Sequence, residues 1–553
     1  MTAVHPEHSY DVIVVGGGPA GSVMALALAR RGVRVALLER TVFPRDKVCG
    51  DYIEPGGLRL LARLGLLPEI ESRRRLRITR NRVYFGPQLL YRGPIHYYDH
   101  PDDDLNYGLV ISRREFDDIL LQGARDAGAW VYSPATAKAV SRVGDVMYVD
   151  ADVGGEAQRL QAPLVVGADG TESVVARSVG QRRTDRRHIG VAQRAYVEGI
   201  ELDDGEATVW FDEEIAPGYG WLFPMPGGRA NVGVGFSSET ADRFGMRVPD
   251  SFQTALERLR IRHPGCAKAL LESKPIGGVV KTYGGIGHNH FDGGVLIGDA
   301  GSFVDPLTGE GITHGMESAI LALPTLLDAL KTHRFDAEAL SPFDTAFRGY
   351  FDPAMRYLEL SAALVSNRHL SEFWLRVGSH GHEEAARDQT FARIAGSIFG
   401  GPALQPLAVS AQMWSRVFSR FAEAAARAGT GSPGLSARFA EDFQAFQRGW
   451  QRSKENPAWH DEWLADVITR SIAVQKTIWT KRNPRPDGVF RYLGMDEAME
   501  RPGPLATTDT QAMLVATVRT FVEAGMALLT ARTAPPPQPA VDDEPKRRWR
   551  VKS

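Results

Sequence analysis

Cysteine is scarce in this sequence, and so are long apolar runs. Only Cys49 and Cys266 occur among 553 residues. Two cysteines are too few for a disulfide framework, so we expect an intracellular, cytoplasmic protein. The apolar runs at 12–15 and 23–29 are too short to cross a bilayer, and the opening MTAVHPEHSYD has no apolar signal-peptide core. The sequence therefore predicts no transmembrane segment.

The sequence also lacks a large excess of either acidic or basic residues. The chain carries 65 basic and 67 acidic residues, for a net charge of -2, which argues against nucleic acid as a partner. Only the end is biased, where a proline-rich stretch leads into an acidic and then a basic cluster over 533–553. We expect a disordered tail there. Peripheral membrane contact through its basic residues is the alternative.

The amino-terminal region has the order of elements typical of a dinucleotide-binding fold. Residues 11–15 form a short run rich in valine and isoleucine, as expected of a buried parallel strand. Residues 22–31 predict a helix that Gly32 closes in a left-handed cap. A second strand is predicted at 33–38, and Glu39 ends it.

Three glycines in the first turn suit this order of elements to binding a dinucleotide. Gly16 permits the tight turn, Gly18 lets a pyrophosphate approach the backbone, and Gly21 lets helix and strand pack closely. The helix start adds free N–H groups and a partial positive charge. Glu39 can accept hydrogen bonds from ribose hydroxyls, and we assign the adjacent Arg40 to the cofactor too.

Two later segments resemble the second and third FAD fingerprints of flavin monooxygenases and their relatives. Gly-Ala-Asp-Gly at 167–170 is similar to the second fingerprint, and Val-Leu-Ile-Gly-Asp-Ala at 295–300 is similar to the third. The resemblance implies that Asp299 binds ribose or ribityl hydroxyls and that Asp169 lies near the hydride traffic. We therefore expect FAD as the cofactor and NAD(P)H as the electron donor.

A glycine-rich stretch, Pro-Leu-Thr-Gly-Glu-Gly-Ile at 306–312, follows the third fingerprint. In that superfamily the next helix points its amino terminus at the flavin ring. Gly309 and Gly311 expose backbone N–H groups here, and a helix from Ile312 onward adds its dipole. Such groups stabilise an anionic reduced flavin near its pyrimidine edge.

The chain resembles, more narrowly, the geranylgeranyl reductase group within this superfamily. The segments that carry the resemblance are FPRDKVCGD at 43–51, RREFD at 113–117, YGWLFP at 219–224, NVGVG at 231–235 and PLTGEG at 306–311. The resemblance implies an FAD domain joined to a sheet-based substrate domain. It also implies a lipophilic substrate, often a polyprenyl chain, whose double bonds are reduced.

The candidate residues for the reaction lie in these segments. Tyr219, Trp221 and Phe223 alternate along a predicted strand and so share one face. We interpret this face as a pocket wall beside the flavin rather than ordinary sheet core. The resemblance places Arg113 against the flavin and Cys49 near it. For Cys49, a catalytic role and a plain buried role are equally open. We predict no metal site.

Three other functions share a flavin fold. A halogenase would carry the motif Trp-x-Trp-x-Ile-Pro, but this chain has Tyr219 in place of the first Trp and Phe223 in place of the Ile. A halogenase also needs a lysine in the first third of the chain, and this sequence has no lysine between Lys47 and Lys138. A hydroxylase or epoxidase tailoring a natural product shares every fingerprint and differs in how reduced flavin meets oxygen. It is the main alternative to reduction of carbon–carbon double bonds in an isoprenoid or similar lipophilic metabolite. A flavoprotein without turnover is disfavoured by the intact glycine loop.

We predict an α/β architecture in which a Rossmann-type FAD-binding domain spans 1–185 and returns at 280–335. A β-sheet substrate domain occupies 186–279, a helical C-terminal region occupies 340–532, and the tail follows at 533–553. The C-terminal region is rich in tryptophan. It either covers the substrate site or forms an ordinary core or dimer interface, and the oligomeric state is left open.

Glycine pairs mark two hairpins. The pair at 154–155 is expected to join strands at 145–153 and 156–166, and the pair at 227–228 joins two strands of the substrate domain. The segment 86–104 predicts a loop.

Overall fold

The structure is a computed structural model that describes residues 9–73, 75–95, 104–181, 185–201, 205–374, 376 and 433–480. The tail predicted at 533–553 lies outside these residues. So do 96–103 of the predicted loop and much of the C-terminal region predicted to be helical.

The described strands are β1 (Val12–Val15), β2 (Val35–Leu38), β3 (Tyr52–Ile53), β4 (Leu76–Ile78), β5 (Arg80–Phe85), β6 (Gln88–Pro94), β7 (Gly108–Val110), β8 (Trp130–Tyr132), β9 (Ala135–Val143), β10 (Val146–Val153), β11 (Glu156–Ala162), β12 (Leu164–Gly167), β13 (Ile189–Glu198), β14 (Glu206–Phe211), β15 (Tyr219–Met225), β16 (Arg229–Ser237), β17 (Leu270–Leu271), β18 (Ile276–Lys281), β19 (His290–Phe291) and β20 (Gly294–Leu296).

The described helices are α1 (Pro19–Ala29), α2 (Pro55–Arg63), α3 (Leu67–Ser72), α4 (Arg113–Asp126), α5 (Val174–Ser178), α6 (Ser238–Phe244), α7 (Val248–Arg262), α8 (Ile312–Thr332), α9 (Ala337–Leu340), α10 (Pro342–Val365), α11 (Pro433–Ser453) and α12 (Pro457–Thr480).

The nucleotide fold is built on a six-stranded sheet in the order β19-β20-β12-β1-β2-β8. Its central strand β1 runs parallel to both neighbours. Val12 and Val14 face one apolar core while Ile13 and Val15 face another, on the opposite side of the sheet. A strand covered on both faces needs apolar residues throughout, which explains the unbroken valine and isoleucine run. The predicted α/β fold with a Rossmann-type sheet is confirmed.

Helix α1 begins earlier than the predicted start at Ser22. Pro19 occupies its first turn and Gly18 is the extended N-cap residue. Proline suits a first turn because it lacks the N–H that would be unpaired there, and its fixed φ matches the helix. Gly32 has φ +76°, so the predicted left-handed glycine after the helix is confirmed.

A second sheet has eight strands and contains the region predicted to be the substrate domain. Its order is β17-β13-β16-β15-β14-β5-β6, with β18 paired to β13. Strands β5 and β6 join it from within 1–185, the range that the sequence assigns to the FAD domain. The loop predicted at 86–104 is wrong over Gln88–Pro94, because a turn at Gly86 (φ +53°) folds β6 back onto β5.

Both predicted hairpins are present. Gly154 and Gly155 have φ of +62° and +96°, and β10 pairs antiparallel with β11. The strand predicted at 156–166 is wrong in extent, since β11 ends at Ala162 and β12 enters the six-stranded sheet. Pro163 lies at the division, where a residue without an N–H cannot continue a ladder.

Helix α10 shares the core of the nucleotide fold. Phe343, Phe347 and Phe351 belong to the same buried apolar cluster as residues of α1 and α8. A domain boundary at 340 would divide this core. Helix α12 packs on α10, where the indole N–H of Trp463 donates to the carbonyl of Ala363 at 2.9 Å. Within the described ranges, no helix has both the length and the apolarity to cross a membrane.

Candidate flavin and substrate site

The first glycine turn is packed so tightly that two of its glycines admit no side chain. Gly16 has φ +104°, and a Cβ there would overlap the carbonyl of Ala168. A Cβ on Gly21 would overlap the carbonyl oxygen of Gly16. These residues bring the start of α1 against the ends of β1 and β12, as the sequence predicted from the spacing.

Gly18 differs, because it borders open space. The nearest atom to a Cβ placed there is Nη2 of Arg45, at 3.9 Å. Gly18 makes no side-chain cap on α1, so the helix start is available to an anion. Arg45 also lies 3.2 Å from Asp117 and 3.8 Å from Glu39. Arg45 was not predicted from the sequence, although a cationic side chain in the FPRDKVCGD segment was a usable signal.

Glu39 ends β2 as predicted and is buried. Its carboxylate accepts hydrogen bonds from the backbone N–H of Gly17 at 2.8 Å and of Thr41 at 2.9 Å. The acid is therefore fixed beside the glycine turn. Arg40, which we also assigned to the cofactor, is exposed, and its role stays a prediction.

The aspartates of the two later fingerprints have different surroundings. Asp169 accepts from the hydroxyl of Ser173 at 2.5 Å and from the N–H of Val174 at 2.6 Å, so it holds the start of α5. Burial raises the pKa of Asp169. Asp299 is partly exposed and lies next to the glycine loop, 3.5 Å from a Cβ placed on Gly311. The predicted roles of both aspartates remain predictions.

The glycine loop ends where α8 begins, at Ile312, as predicted. Gly309 has φ +74° and is exposed. Asp305 shapes the loop, because its Oδ1 accepts from the N–H groups of Leu307 at 2.6 Å and Thr308 at 3.0 Å. The loop and the first turn of α8 thus present a rigid backbone edge.

An aromatic wall lies beside that edge. Tyr219, Trp221 and Phe223 of β15 form one row, with ring centroids 6.0 and 6.4 Å apart. Phe211 extends the row at 6.2 Å from Tyr219, and Tyr52 stacks on Phe223 at 5.1 Å. The sequence predicted the first three rings and missed the last two, which come from other strands.

The aromatic wall joins the glycine loop to the Cys49 segment. At one end the Tyr219 hydroxyl donates to the carbonyl of Thr308. At the other end a Cβ placed on Gly50 would lie 2.8 Å from the Phe223 ring and 3.5 Å from the indole nitrogen of Trp221. Segments distant in sequence therefore meet around one apolar surface.

Cys49 is partly buried and has polar neighbours. Burial raises the pKa of its thiol, which therefore stays protonated at neutral pH. Arg113, at the start of α4, pairs with Asp117 through two contacts of 2.6 and 2.7 Å, so its guanidinium is held within the protein. The carbonyl of Cys49 accepts from the amide of Asn231 at 2.8 Å.

A hydrogen-bonded chain holds this segment against the sheet. The indole N–H of Trp221 donates to Asn231 at 3.0 Å, and the Asn231 amide donates to Asp51 at 3.1 Å. The hydroxyl of Tyr196 donates to the same carboxylate at 2.6 Å. Burial raises the pKa of Asp51. These contacts fix the orientation of the central ring of the wall.

A group of buried ionisable side chains lies behind the glycine loop, and the sequence analysis found no such acid or base. We name Glu54, Asp305, Glu310, His314 and Glu317 the carboxyl–histidine cluster. The imidazole Nδ1 of His314 lies 2.9 Å from Glu310, and Tyr350 donates to Glu317 at 2.8 Å. The spacing of Glu310, just before α8, and of His314 and Glu317 on α8 was a signal in the sequence, but only the fold brings in Glu54.

Three possible metal ligands meet elsewhere, at the start of α10. The ligand atoms of His288, His290 and Asp344 all lie within 4.8 Å of one another. Asp344 is 3.1 Å from His288 and 3.0 Å from His290, and it accepts from the N–H of Asn289 at 3.0 Å. Nδ1 of His288 is hydrogen-bonded to Asp344, whereas Nδ1 of His290 has no hydrogen-bond partner among the described residues.

Known proteins that are similar to this chain also bind FAD or are named reductases. A family model described as "FAD binding domain" matches residues 9–338. The chain is 34% identical over 330 residues to a menaquinone reductase of Mycobacterium tuberculosis, covering 58% of this chain and 77% of the relative. It is 30% identical over 345 residues to a digeranylgeranylglycerophospholipid reductase of Methanocaldococcus jannaschii, covering 61% and 82%. The chain belongs to the geranylgeranyl reductase-like FAD-dependent oxidoreductases.

Solved structures share the fold of this oxidoreductase. A geranylgeranyl bacteriochlorophyll reductase-like protein of Thermoplasma acidophilum superposes with a TM-score of 0.56 at 23% identity, covering 75% of this chain and 98% of that one. A myxobacterial chondrochloren halogenase gives a TM-score of 0.56 at 25% identity, covering 64% and 83%. FAD is the cofactor of the family. The open face of Gly18, the fixed Glu39 and the glycine loop fit it.

Proposed function

We propose that this oxidoreductase uses FAD to reduce a carbon–carbon double bond in an isoprenoid or similarly lipophilic molecule, with NAD(P)H as the electron donor. The observation that carries the proposal is the aromatic wall, which runs from the glycine loop at Gly309 to the Cys49 segment. Bound FAD supplies the hydride chemistry, and the chain supplies an apolar surface that holds the substrate next to it.

The wall suits a hydrophobic and partly planar substrate. Its rings offer a broad apolar surface with few polar groups, as in sites that bury most of a ligand's area. Trp221 is 7% exposed, and its N–H is already bonded to Asn231. The ring face is therefore left for dispersion contacts rather than for polar recognition.

The relatives point in the same direction. They are named reductases of menaquinone and of digeranylgeranylglycerophospholipid, both of which are lipophilic. The FAD-binding family model matches residues 9–338, which contain the glycine turn, the aromatic wall and the glycine loop. We infer the same class of substrate here.

Cys49 is proposed to hold a proton at the substrate. Its raised pKa keeps hydrogen on Sγ, and its segment packs on Phe223 and Trp221. A neutral thiol in this position can hydrogen-bond or donate a proton, whereas a thiolate nucleophile is disfavoured.

The proposal is tested by reducing the FAD-loaded protein with NADPH without oxygen and mixing it rapidly with a geranylgeranyl lipid, whose electron-accepting groups are carbon–carbon double bonds. Fast reoxidation of the flavin in the absence of oxygen supports the reductase. Reoxidation that requires oxygen, is accelerated by the lipid and inserts an oxygen atom would identify a monooxygenase instead.

A matched pair of variants tests the wall itself. Trp221→Leu removes the central ring and is expected to slow lipid-dependent reoxidation at least about tenfold, the equivalent of ~1.4 kcal/mol, with FAD still bound. Trp130→Leu alters a ring of β8, outside the wall, that is 38% exposed, and should leave the rate unchanged. Equal rates in both variants would contradict the role of the wall.

A further inference from the structure

The carboxyl–histidine cluster is a closed group within the molecule. His314 is fully buried, and Asp305, Glu54 and Glu317 are 1%, 5% and 7% exposed. They come from three places: Glu54 precedes α2, Asp305 and Glu310 belong to the glycine loop, and His314 and Glu317 lie on α8. Tyr350 of α10 closes the group by donating to Glu317.

The cluster contains more acids than bases. Four carboxyl groups face one imidazole. In the described part of the chain, His314 is the positive charge that acts on Glu54, Asp305 and Glu317. Removing several like charges from water is unfavourable unless some of them are neutralised. The cluster therefore has to hold protons in addition to the one shared by Glu310 and His314.

Several of its polar atoms have unused bonding capacity. Among the described residues, no hydrogen-bond partner is found for Oε2 of Glu54, Oδ2 of Asp305, Nε2 of His314 or Oε2 of Glu317. Buried polar atoms are rarely left without partners. Protons and water that move among these atoms would satisfy them.

The cluster also lies directly under the glycine loop. Asp305 holds the loop through Leu307 and Thr308, and Glu310 stands between Gly309 and Gly311. The loop in turn contacts the wall through Tyr219 and Thr308. A change of charge above the loop therefore changes the electrostatic potential at the buried acids below the loop, because little solvent lies between them to screen the interaction.

We propose that the cluster takes up one proton from solvent, at Glu317, when two electrons enter the flavin above the glycine loop. The proposal rests on the proposed function, which brings the flavin there. Hydride transfer from NAD(P)H leaves NAD(P)+ and delivers two electrons with one hydrogen. The negative charge so gained is offset when the Glu317 carboxylate binds a solvent proton. That proton returns to solvent when the electrons leave.

The titration properties of the group support this assignment. Burial raises the pKa of Glu317 to about 7, so this carboxyl is poised between its two forms near neutrality. Burial also raises the pKa of Glu54, well above its ordinary value. Although burial opposes its charge, Glu310 raises the pKa of His314 to about 10, so His314 remains a cation.

Burial raises the pKa of Asp305 too, but its Oδ1 is engaged by the N–H groups of Leu307 and Thr308 and holds the loop. We therefore assign the response to Glu317, which accepts from the hydroxyl of Tyr350.

The test is the flavin midpoint potential measured between pH 6 and pH 8 without substrate. Hydride uptake alone adds one proton per two electrons, a tenfold change in the equilibrium per pH unit, or about 30 mV. A second proton at Glu317 doubles the slope to about 59 mV per pH unit. Because Glu317, with a pKa near 7, already holds its proton at lower pH, we expect the steeper slope in the wild-type protein above about pH 7 and the shallower one over the whole range in Glu317→Gln.

A surface variant serves as the control. Glu338→Gln removes the same charge from a side chain that is 85% exposed and should keep the steep slope. Should Glu317→Gln misfold, Tyr350→Phe removes a hydrogen bond that favours the ionised carboxyl, so the steep range should extend to higher pH. An equal slope in wild-type and Glu317→Gln protein, or an unmoved range in Tyr350→Phe, would overturn the proposal.

These outcomes are separate from those of the proposed function. The potential is measured without an alkene, so a protein that shows the slope difference but reduces no lipid would keep the proton site and lose the reductase. A protein that binds no FAD would lose both.

Discussion

At the residue scale, glycines that look alike in the motif have unlike roles. Gly16 and Gly21 are required by the protein itself, since a Cβ on either would overlap a carbonyl group. Gly18 is not required by the fold, because its side faces open space and its φ of -71° is accessible to any residue. We predict that the open space beside Gly18 receives the pyrophosphate of FAD.

Gly18→Ala separates folding from cofactor binding. We expect the thermal midpoint of the FAD-free protein to change little, while FAD affinity falls about tenfold or more, ~1.4 kcal/mol, because the methyl group blocks the approach of the pyrophosphate. Gly21→Ala should instead destabilise the protein. Titration of FAD, followed by flavin fluorescence, measures the effect. Unchanged affinity in Gly18→Ala would exclude Gly18 from the site.

Glu317 also makes stability depend on pH. A carboxyl whose pKa is raised in the folded state, here to about 7, contributes stability that is complete below its ordinary pKa and is lost as pH rises through the raised value. Glu317→Gln mimics the protonated form. It should match the wild-type free energy of unfolding near pH 5 and exceed it by about 1–3 kcal/mol near pH 9. Urea unfolding at both pH values checks this, and a variant less stable at pH 9 would contradict it.

At the element scale, β15 and β16 combine indoles with glycines. A Cβ on Gly233 would overlap the ring of Trp221, and one on Gly220 would overlap the ring of Trp210. The glycines of the Asn-Val-Gly-Val-Gly segment thus make room for the wall on the facing strand. Glycine is needed at Gly220 and Gly233 because each leaves space for an aromatic ring, not because the backbone turns there.

Gly233→Ala should therefore move Trp221 without touching the nucleotide fold. We expect a loss of stability of about 1–3 kcal/mol from overpacking and slower lipid-dependent reoxidation, with FAD affinity retained. Gly277→Ala in β18 of the same sheet is the control, because its nearest atom lies 3.6 Å away. Tryptophan fluorescence and the reoxidation rate report the change. Equal behaviour of the two variants would show that the wall tolerates a shifted indole.

Local patterns predicted the elements that local physics controls. The apolar run of β1, the glycine turn and both hairpins follow from residues close in sequence. The place of β6 could not be predicted in this way, because the strand depends on pairing with β5 in a sheet formed mainly by later residues. The carboxyl–histidine cluster was missed for the same reason: Glu54 and Glu317 are far apart in sequence, and only the packing of α2 and α8 gives them a common environment.

At the scale of the whole molecule, the C-terminal helices connect the two halves. The ring of Trp459 in α12 packs 5.7 Å from that of Phe244 in α6, the helix that follows β16 of the eight-stranded sheet. Trp463 bonds to Ala363 of α10, which shares the core of the nucleotide fold. The described part of the C-terminal region is therefore an integral layer of the structure. The idea that it covers the substrate site stays a prediction.

Trp459→Ala should weaken this connection. Removing a large buried ring costs about 3–5 kcal/mol, so we expect a lower thermal midpoint with FAD affinity unchanged at temperatures where the protein is folded. Ile468→Ala on the same helix is the control, since that side chain is 51% exposed and its loss should cost less than about 0.5 kcal/mol. Calorimetry of both variants decides; equal midpoints would mean that α12 contributes little.

The central claim is that the bound flavin delivers its electrons to a carbon–carbon double bond of a lipophilic molecule. The most direct measurement is mass spectrometry of menaquinone or a geranylgeranyl lipid after incubation with the FAD-loaded protein and NADPH, with and without oxygen. The predicted result is a product that is heavier by two hydrogen atoms, forms equally well without oxygen, and keeps this mass after any quinol has been reoxidised to quinone in air. A product that gains an oxygen atom, and forms only when oxygen is present, would contradict the account.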